Sequence, residues 1–334
     1  MSTDTLSEVL RAVRLTGAVF FTVDASAPWV AEAAPPREVG PDVMPGVEHV
    51  IEYHVVTSGS CWGGIVDETP VRLGTGDVVV FPQGDAHVIS SSPGMRGTPD
   101  YVSPRQARLS GAPLTRRIDG GGTEQTGVIC GFLGCDARPF NPLLSTLPRM
   151  IHVPRRDSDD RSLEHLVKLA LAESMAGRAG GEVVLARLSE LLFVEVVRRH
   201  LATLPPEEVG WLAGLRDDSI GRALGKLHDR PAHGWSLDEL AREVGLSRSV
   251  FAERFTHFVG VPAMQYLAQW RMQLAAQLLS STSKGLSEIA AEVGYGSEAA
   301  LSRAYKRWVG VAPAEWRRGK RSEADPDESD AATR

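Results

Sequence analysis

The residues best suited to chemistry lie in a pattern that the sequence writes twice, at a period near 50 residues. Glu239, Leu240, Ala241, Glu243, Val244 and Gly245 reappear as Glu288, Ile289, Ala290, Glu292, Val293 and Gly294. After a one-residue slip, Phe251, Phe255, Phe258, Val259, Gly260 and Val261 reappear as Leu301, Tyr305, Trp308, Val309, Gly310 and Val311. Each copy predicts a short helix ending at a glycine, then a second helix capped by Ser247 or Ser297. The predicted inward stripes are Val250, Phe251, Phe255 and Phe258 in one copy, and Ala300, Leu301, Tyr305 and Trp308 in the other. The opposite faces carry Arg248, Ser249, Ala252 and Glu253, then Glu298, Ala299, Ser302 and Arg303. Such side chains near a helix start reach base edges when the helix enters a major groove.

The elements that must hold these faces are also legible. A Pro-free stretch of 17 residues, Ala263–Leu279, predicts a spacer helix. At ~1.5 Å per residue it spans about 25 Å, close to one DNA turn of ~34 Å. A plain helical domain with a duplicated packing unit is the competing reading, and charge weighs against it. The chain carries a net −6, yet residues 211–321 hold 16 Lys+Arg against 11 Asp+Glu, a net of +5. The remainder holds 20 against 31, a net of −11, so one end alone is suited to a polyanion.

Upstream the texture changes. Short apolar or alternating runs at Ala18–Val23, His49–Val56, Asp77–Phe81 and Gly127–Leu133 predict an antiparallel sandwich or barrel. Ser91–Gly127, rich in Gly, Pro, Arg and Ser, reads as a long loop. From Ser158 to Leu204 the period is helical. Asp157 or Ser158 can cap a first helix, and a second carries Val184, Leu188, Leu191, Leu192 and Val196 as a broad stripe before Pro205-Pro206. This hairpin either packs on the barrel or forms a homodimer surface. The segment 322–334 is acidic, lacks large apolar residues and reads as a disordered tail. With 43% hydrophobic and 23% charged residues the composition is globular, and no apolar run approaches the ~20 residues of a membrane span. Cys61, Cys130 and Cys135 are too few for a disulfide scaffold, and the N-terminus reads as a capped amphipathic helix carrying Asp4 and Glu8. The expected place of action is the cytoplasm, with no membrane partner.

Residues 211–321 resemble the C-terminal domain of the AraC/XylS family of bacterial transcription regulators. The resemblance rests on SLDELAREVGLSRSVFAERFTHFVG, the RMQLAAQLL spacer and LSEIAAEVGYGSEAALSRAYKRWVGVAPAEWR. It implies two reading helices, Ser247–Phe258 and Ser297–Trp308, preceded by a scaffold region Trp211–Arg230. Double-stranded DNA is the implied partner, with RNA polymerase as a further one; an activator is one reading of the outcome and a repressor the other. Glu253 and Glu298 depart from what phosphate-facing positions require, since phosphate repels a carboxylate unless it accepts from a cytosine amino group. Phosphate contact then falls to Arg248, Lys306, Arg307 and the Arg317-Arg318 pair.

The upstream segment carries GDVVVFPQGDAH, Gly76 to His87, which fits the second cupin motif. Glu52, seven residues before Gly59, sits as the glutamate of the first motif does, while the usual His-x-His is missing. Residues 1–153 therefore resemble the cupin-type effector domain found in one branch of AraC-like regulators, with 154–205 as a helical linker. The implied fold class is α+β, a cupin-like β-barrel followed by an all-α domain with two helix-turn-helix motifs. Cupins hold metals with interior imidazoles and a carboxylate. Glu52 and His54, two apart, share one strand face, and His87 and Cys130 are placed to join them. Glu52, His54 and His87 are the expected effector-binding residues. His54, His87 and the Cys130 thiolate form a set suited to zinc or another divalent metal. A barrel that has lost its metal and keeps these groups as interior polar residues fits the same pattern. The expected function is a DNA-binding regulator that senses a small molecule or metal and is not an enzyme. The alternative is a cupin dioxygenase or isomerase with an accessory DNA-binding domain, and the incomplete first motif weighs against it.

Overall fold

In the computed structural model of the full chain, residues 4–110, 114–155, 161–176, 178–205 and 207–324 are described. They form two compact units. One comprises Leu15–Cys135 and Leu147–Thr203; the other gathers the described residues before Leu15, the segment Asp136–Thr146 and everything from Leu204 onward. The boundary between Thr203 and Leu204 lies beside the expected one at 205, whereas no unit boundary falls at 153. The N-terminal helix α1 (Thr5–Ala12) and the stretch after the last long strand belong with the helical C-terminal part.

The β-rich unit holds eleven strands among its described residues: β1 (Thr16–Ser26), β2 (Val30–Ala33), β3 (His49–Ser58), β4 (Ser60–Ile65), β5 (Val71–Gly74), β6 (Val78–Phe81), β7 (His87–Ser90), β8 (Pro99–Asp100), β9 (Leu114–Asp119), β10 (Gln125–Cys135) and β11 (Ile151–Val153). They make a six-stranded sheet, β11-β6-β3-β10-β1-β9, and a five-stranded sheet, β5-β4-β7-β2-β8. Side chains of both sheets meet in one core that includes Phe21, Trp29, Phe81, Ile89 and Phe132. β3 and β6 are buried along nearly their whole length because they lie inside the sheet with both faces covered, β6 being wholly apolar and β3 carrying Glu52 and His54 inward.

The stretch expected as a long loop contains β8, helix α3 (Ser103–Ser110) and β9. β9, LTRRID, joins the sheet edge parallel to β1, and its adjacent Arg116 and Arg117 point to opposite faces, the first half-buried and the second exposed. Helix α2 (Pro36–Val43) also went unread, since its two prolines and a glycine mask the helical period. The helical hairpin, α4 (Ser162–Ala176) and α5 (Gly181–Thr203), is present. The caps proposed at Asp157 and Ser158 lie outside the described residues. α5 lies close on β1: a Cβ on Gly17 would stand 2.2 Å from the Ala186 carbonyl oxygen, so only glycine fits there. Tyr53, pointing out of β3 on the face opposite Glu52 and His54, places its hydroxyl 2.8 Å from Ser189 Oγ of α5. Leu188, Leu192 and Val196 are buried, whereas Val184 and Leu191 are 41% and 53% exposed. The apolar stripe read from the sequence is thus mostly a barrel contact.

The helical unit continues with α6 (Trp211–Arg216), α7 (Asp218–Asp229), α8 (Leu237–Glu243), α9 (Arg248–Val259), α10 (Ala263–Ser281), α11 (Leu286–Glu292), α12 (Glu298–Val309) and α13 (Pro313–Ala324). α13 extends into the segment expected as tail, and the rest of that segment lies outside the described residues. α10 supplies the centre, with Tyr266, Trp270, Ala275 and Ala276 buried. α1, capped by Asp4, buries Leu6, Val9 and Ala12 in this unit. Among the described residues no helix is long and apolar enough to cross a membrane.

A buried polar trio sits in the core of this unit. Trp211 Nε1 donates to Tyr266 Oη at 2.7 Å, and that hydroxyl lies 2.7 Å from His228 Nε2. Among the described residues His228 Nδ1 has no hydrogen-bond partner, and burial pushes the imidazole down to about 3. An unfolded histidine titrates near 6.5. Above about pH 6.5 neither state is charged; below it the unfolded chain gains a proton that the folded chain refuses. Stability therefore falls by ~1.4 kcal/mol per pH unit from about 6.5 toward about 3. A loss on the order of 2–3 kcal/mol is expected between about pH 6.5 and 4.5. Urea midpoints at the two pH values should show a shallower slope in His228→Phe; an identical slope would refute the assignment.

Candidate functional site

Two sites can be built from these elements, one in each unit. In the β-rich unit, antiparallel registers bring the first together. His54 lies opposite Cys130 across β3 and β10 and opposite Val79 across β3 and β6, while β4 and β7 pair Ile65 with His87. Inside, His54 Nε2 and His87 Nε2 stand 2.6 Å apart. Glu52 Oε2 is 3.5 Å from His87 Nε2. The ligand atoms of Glu52, His54 and His87 all lie within 4.8 Å of one another.

The hydrogen bonds order the protons. His87 Nδ1 faces the Asp85 carbonyl oxygen at 2.9 Å, so Nδ1 carries the hydrogen and Nε2 keeps a lone pair. His54 Nε2 must then donate to it, which leaves His54 Nδ1 to accept from the Cys130 thiol, 3.0 Å away. Burial reinforces this neutral arrangement. It pushes the Glu52 carboxyl up to about 8 and the His87 imidazole down to about 4. His54 falls well below the usual histidine range through burial and the neighbouring His87. The Cys130 thiol is raised, first by burial. The Glu52–His87 contact is therefore between neutral partners near pH 7 rather than an ion pair.

The structure thus brings Glu52, His54 and His87 together and sets Cys130 behind His54, bonded to the other ring nitrogen. Cys130 backs an imidazole instead of completing the cluster. Three neighbours escaped the sequence reading. Phe81 stacks on His87 with centroids 3.7 Å apart. Asp100 and Arg116, an ion pair, line the same cavity. Phe81 lies inside the Gly76–His87 motif and was findable; Asp100 and Arg116 sit in the stretch read as loop, where no pattern marks them. The cavity is small, about 40 Å³, walled by Phe21, Trp29, Val39, Ile89, Val128 and Phe132. That is room for about two or three water-sized groups. The donor set fits a divalent cation, since two imidazole nitrogens with one carboxylate oxygen is a known catalytic-type zinc set.

The second site is the outer face of α9 and α12. Ser247 and Ser297 cap these helices by accepting from Val250 N and Ala300 N, and Gly260 and Gly310 end them in the left-handed region at φ 80° and 89°. Arg248, Ser249, Glu253, Glu298, Ala299, Arg303, Lys306 and Arg307 are exposed, and Ala252 and Ser302 partly so. Val250 and Trp308, expected inside, are 47% and 37% exposed. Arg248 pairs with Asp238 at 3.3 Å. The Arg317 guanidinium donates through Nε to the Leu279 carbonyl in the last turn of α10 and through Nη2 to the Lys284 carbonyl beyond it.

Residues 4–202 match the Cupin family, and residues 240–319 match the Helix-turn-helix domain family. An AraC-like transcription regulator of Streptomyces lividans is 30% identical over 322 residues, covering 94% of this chain and 98% of the relative. The HTH-type transcriptional regulator AlkR of Acinetobacter baylyi is 30% identical over 267 residues, covering 79% of this chain and 86% of the relative. Among solved structures, the DNA-binding domain of AdpA in complex with a target DNA is 25% identical, with 32% of this chain and 96% of that one covered and a TM-score of 0.31.

Proposed function

This chain belongs to the AraC-like transcription regulators, with a cupin domain ahead of a helix-turn-helix DNA-binding domain, and on that premise we propose that a divalent metal ion, or a small ligand bound with it, acts at Glu52, His54 and His87 to control DNA binding. Double-stranded DNA is its partner. Its relatives are named regulators, and it is a regulator rather than a cupin enzyme.

The carrying observation is the pair of imidazole nitrogens 2.6 Å apart in a buried cavity, beside a carboxylate. Glu52 with the Nε2 atoms of His54 and His87 would hold the ion. The ion would supply a charge that binds a small anionic or carbonyl ligand. The Asp85 carbonyl would keep the His87 ring in the ligating tautomer, and Cys130 would brace His54 from behind. The small cavity favours an ion or a compact ligand over a large organic effector. Purified protein should take up one equivalent of zinc and melt at a higher temperature with it. Unchanged melting and DNA affinity across a zinc titration would count against this reading.

A homodimer would present paired reading helices to repeated half-sites. The support is the exposed part of α5, where Val183, Val184 and Leu191 face out. Sedimentation should show a dimer that Val184→Glu with Leu191→Glu converts to a folded monomer. Leu188 and Leu192 are buried, so glutamate there would unfold the β-rich unit instead. A monomeric unmodified protein at micromolar concentration refutes the surface.

A further inference from the structure

The two reading helices can be laid on one another without a gap. Each has 12 residues, a serine cap and a left-handed glycine stop, and so Glu253 and Arg303 are both the sixth residue. Position six lies on the face formed with positions two, five and nine. On α9 that face is Ser249, Ala252, Glu253 and Thr256; on α12 it is Ala299, Ser302, Arg303 and Lys306. Small side chains at positions two and five allow a helix to approach a groove floor closely, and position six then supplies the first long side chain.

Other charged groups on α9 are already engaged. Arg254 Nε reaches Asp217 Oδ2 at 3.2 Å, and its guanidinium lies over Phe258. Arg248 pairs with Asp238. Glu253 is exposed and, among the described residues, makes no hydrogen bond or ion pair; the same holds for Arg303. An unpaired carboxylate in the middle of a DNA-facing helix is unfavourable near phosphate, so its presence needs a base partner. Cytosine offers its amino group with no adjacent acceptor. Adenine sets its N7 lone pair beside the amino group, and guanine and thymine present acceptors where the carboxylate would sit. A guanidinium has the opposite preference, for guanine O6 and N7.

We propose that Glu253 and Arg303 are the specificity-determining pair, α9 selecting a cytosine and α12 a guanine at equivalent places in their half-sites. This rests on the reading that both helices enter the major groove. It makes the half-sites dissimilar even though the motifs are repeats.

The test uses the full-length chain. Selection from a random duplex pool defines the site, and binding is then measured on duplexes altered one base pair at a time. The unmodified protein should prefer cytosine at one α9-side pair by roughly 5- to 150-fold. In Glu253→Gln that preference should disappear or move to adenine, the guanine preference on the α12 side should stay, and affinity for unrelated DNA should rise. Arg303→Gln should show the reciprocal loss. A purely structural role for Glu253 would not change base preference at one pair while raising non-specific affinity. An unchanged base profile in Glu253→Gln, or equal change at every pair, overturns the proposal. If no sequence is enriched by the unmodified protein, the groove-reading premise fails instead, and the pairing with it.

Discussion

Gln273→Ala is expected to destabilise the helical unit by about 2–4 kcal/mol, as one buried and one partly buried backbone group lose the side chain that pairs them. Gln273 is the eleventh of 19 residues in α10, the spacer between the two motifs, and is 1% exposed. Its Oε1 accepts from Phe140 N at 3.1 Å, and its Nε2 donates to the Ala12 carbonyl at 3.1 Å. One side chain thus ties α10 to the end of α1 and to the segment that follows β10. Arg14 adds a bidentate pair with Asp136, whose N–H donates to the Val13 carbonyl. Gln273→Glu gives a sharper test. A carboxylate still accepts from Phe140 but repels the Ala12 carbonyl, so the loss at neutral pH should exceed that of alanine and shrink as the carboxyl protonates in acid. Urea denaturation of the full chain measures both. A midpoint indifferent to either change would show that α1 and residues 136–146 merely lie against the unit. If the tie holds, the fragment 211–321, sufficient by its repeat, is expected to unfold at lower urea than the same helices in the whole protein.

That dependence marks the limit of what was legible. Caps and stops are local signals, and Ser247, Ser297, Gly245, Gly294 and Asp4 all act where their types and spacing place them. The repeat also located the helix pairs, because apolar spacing within a dozen residues fixes which face turns in. It failed at Val250 and Trp308, where an apolar residue at the edge of the stripe stays partly exposed. Strands β8 and β9 and helix α3 went unread because a segment of Arg, Gly and Pro has no period to count. The tie of α1 and residues 136–146 to the helical unit runs through Gln273, 261 residues from Ala12 and 133 from Phe140, and no local pattern announces such a partner. In the cavity, the two-residue spacing put Glu52 and His54 on one face, and the Gly76–His87 motif brought His87 in. Which nitrogen Cys130 meets is set by the β3–β10 register, which composition does not reveal.

His87→Ala is expected to abolish the response of DNA binding to zinc while leaving binding in its absence unchanged. His87 is fully buried, contributes one of the two converging Nε2 atoms, and is the ring whose tautomer the backbone fixes. Its removal leaves Glu52 and His54, too few donors for tight capture. For zinc to switch DNA binding appreciably, it must favour one conformation about 10- to 100-fold, a coupling of roughly 1.4–2.8 kcal/mol. In the unmodified protein a zinc titration should therefore move DNA affinity by that factor, and in His87→Ala by less than about twofold. Loss of the ring also removes its stacking on Phe81, so a lower melting temperature is expected and does not itself test the site. Cys130→Ser separates bracing from ligation. With the ion on His54 Nε2 the ring would carry its hydrogen on Nδ1, and a serine hydroxyl can accept it in place of the sulfur, so the zinc response should persist with at most a modest loss of affinity, whereas a thiolate ligand could not be replaced so cheaply. A His87→Ala protein that responds to zinc with unaltered potency would move the sensing site out of this cavity.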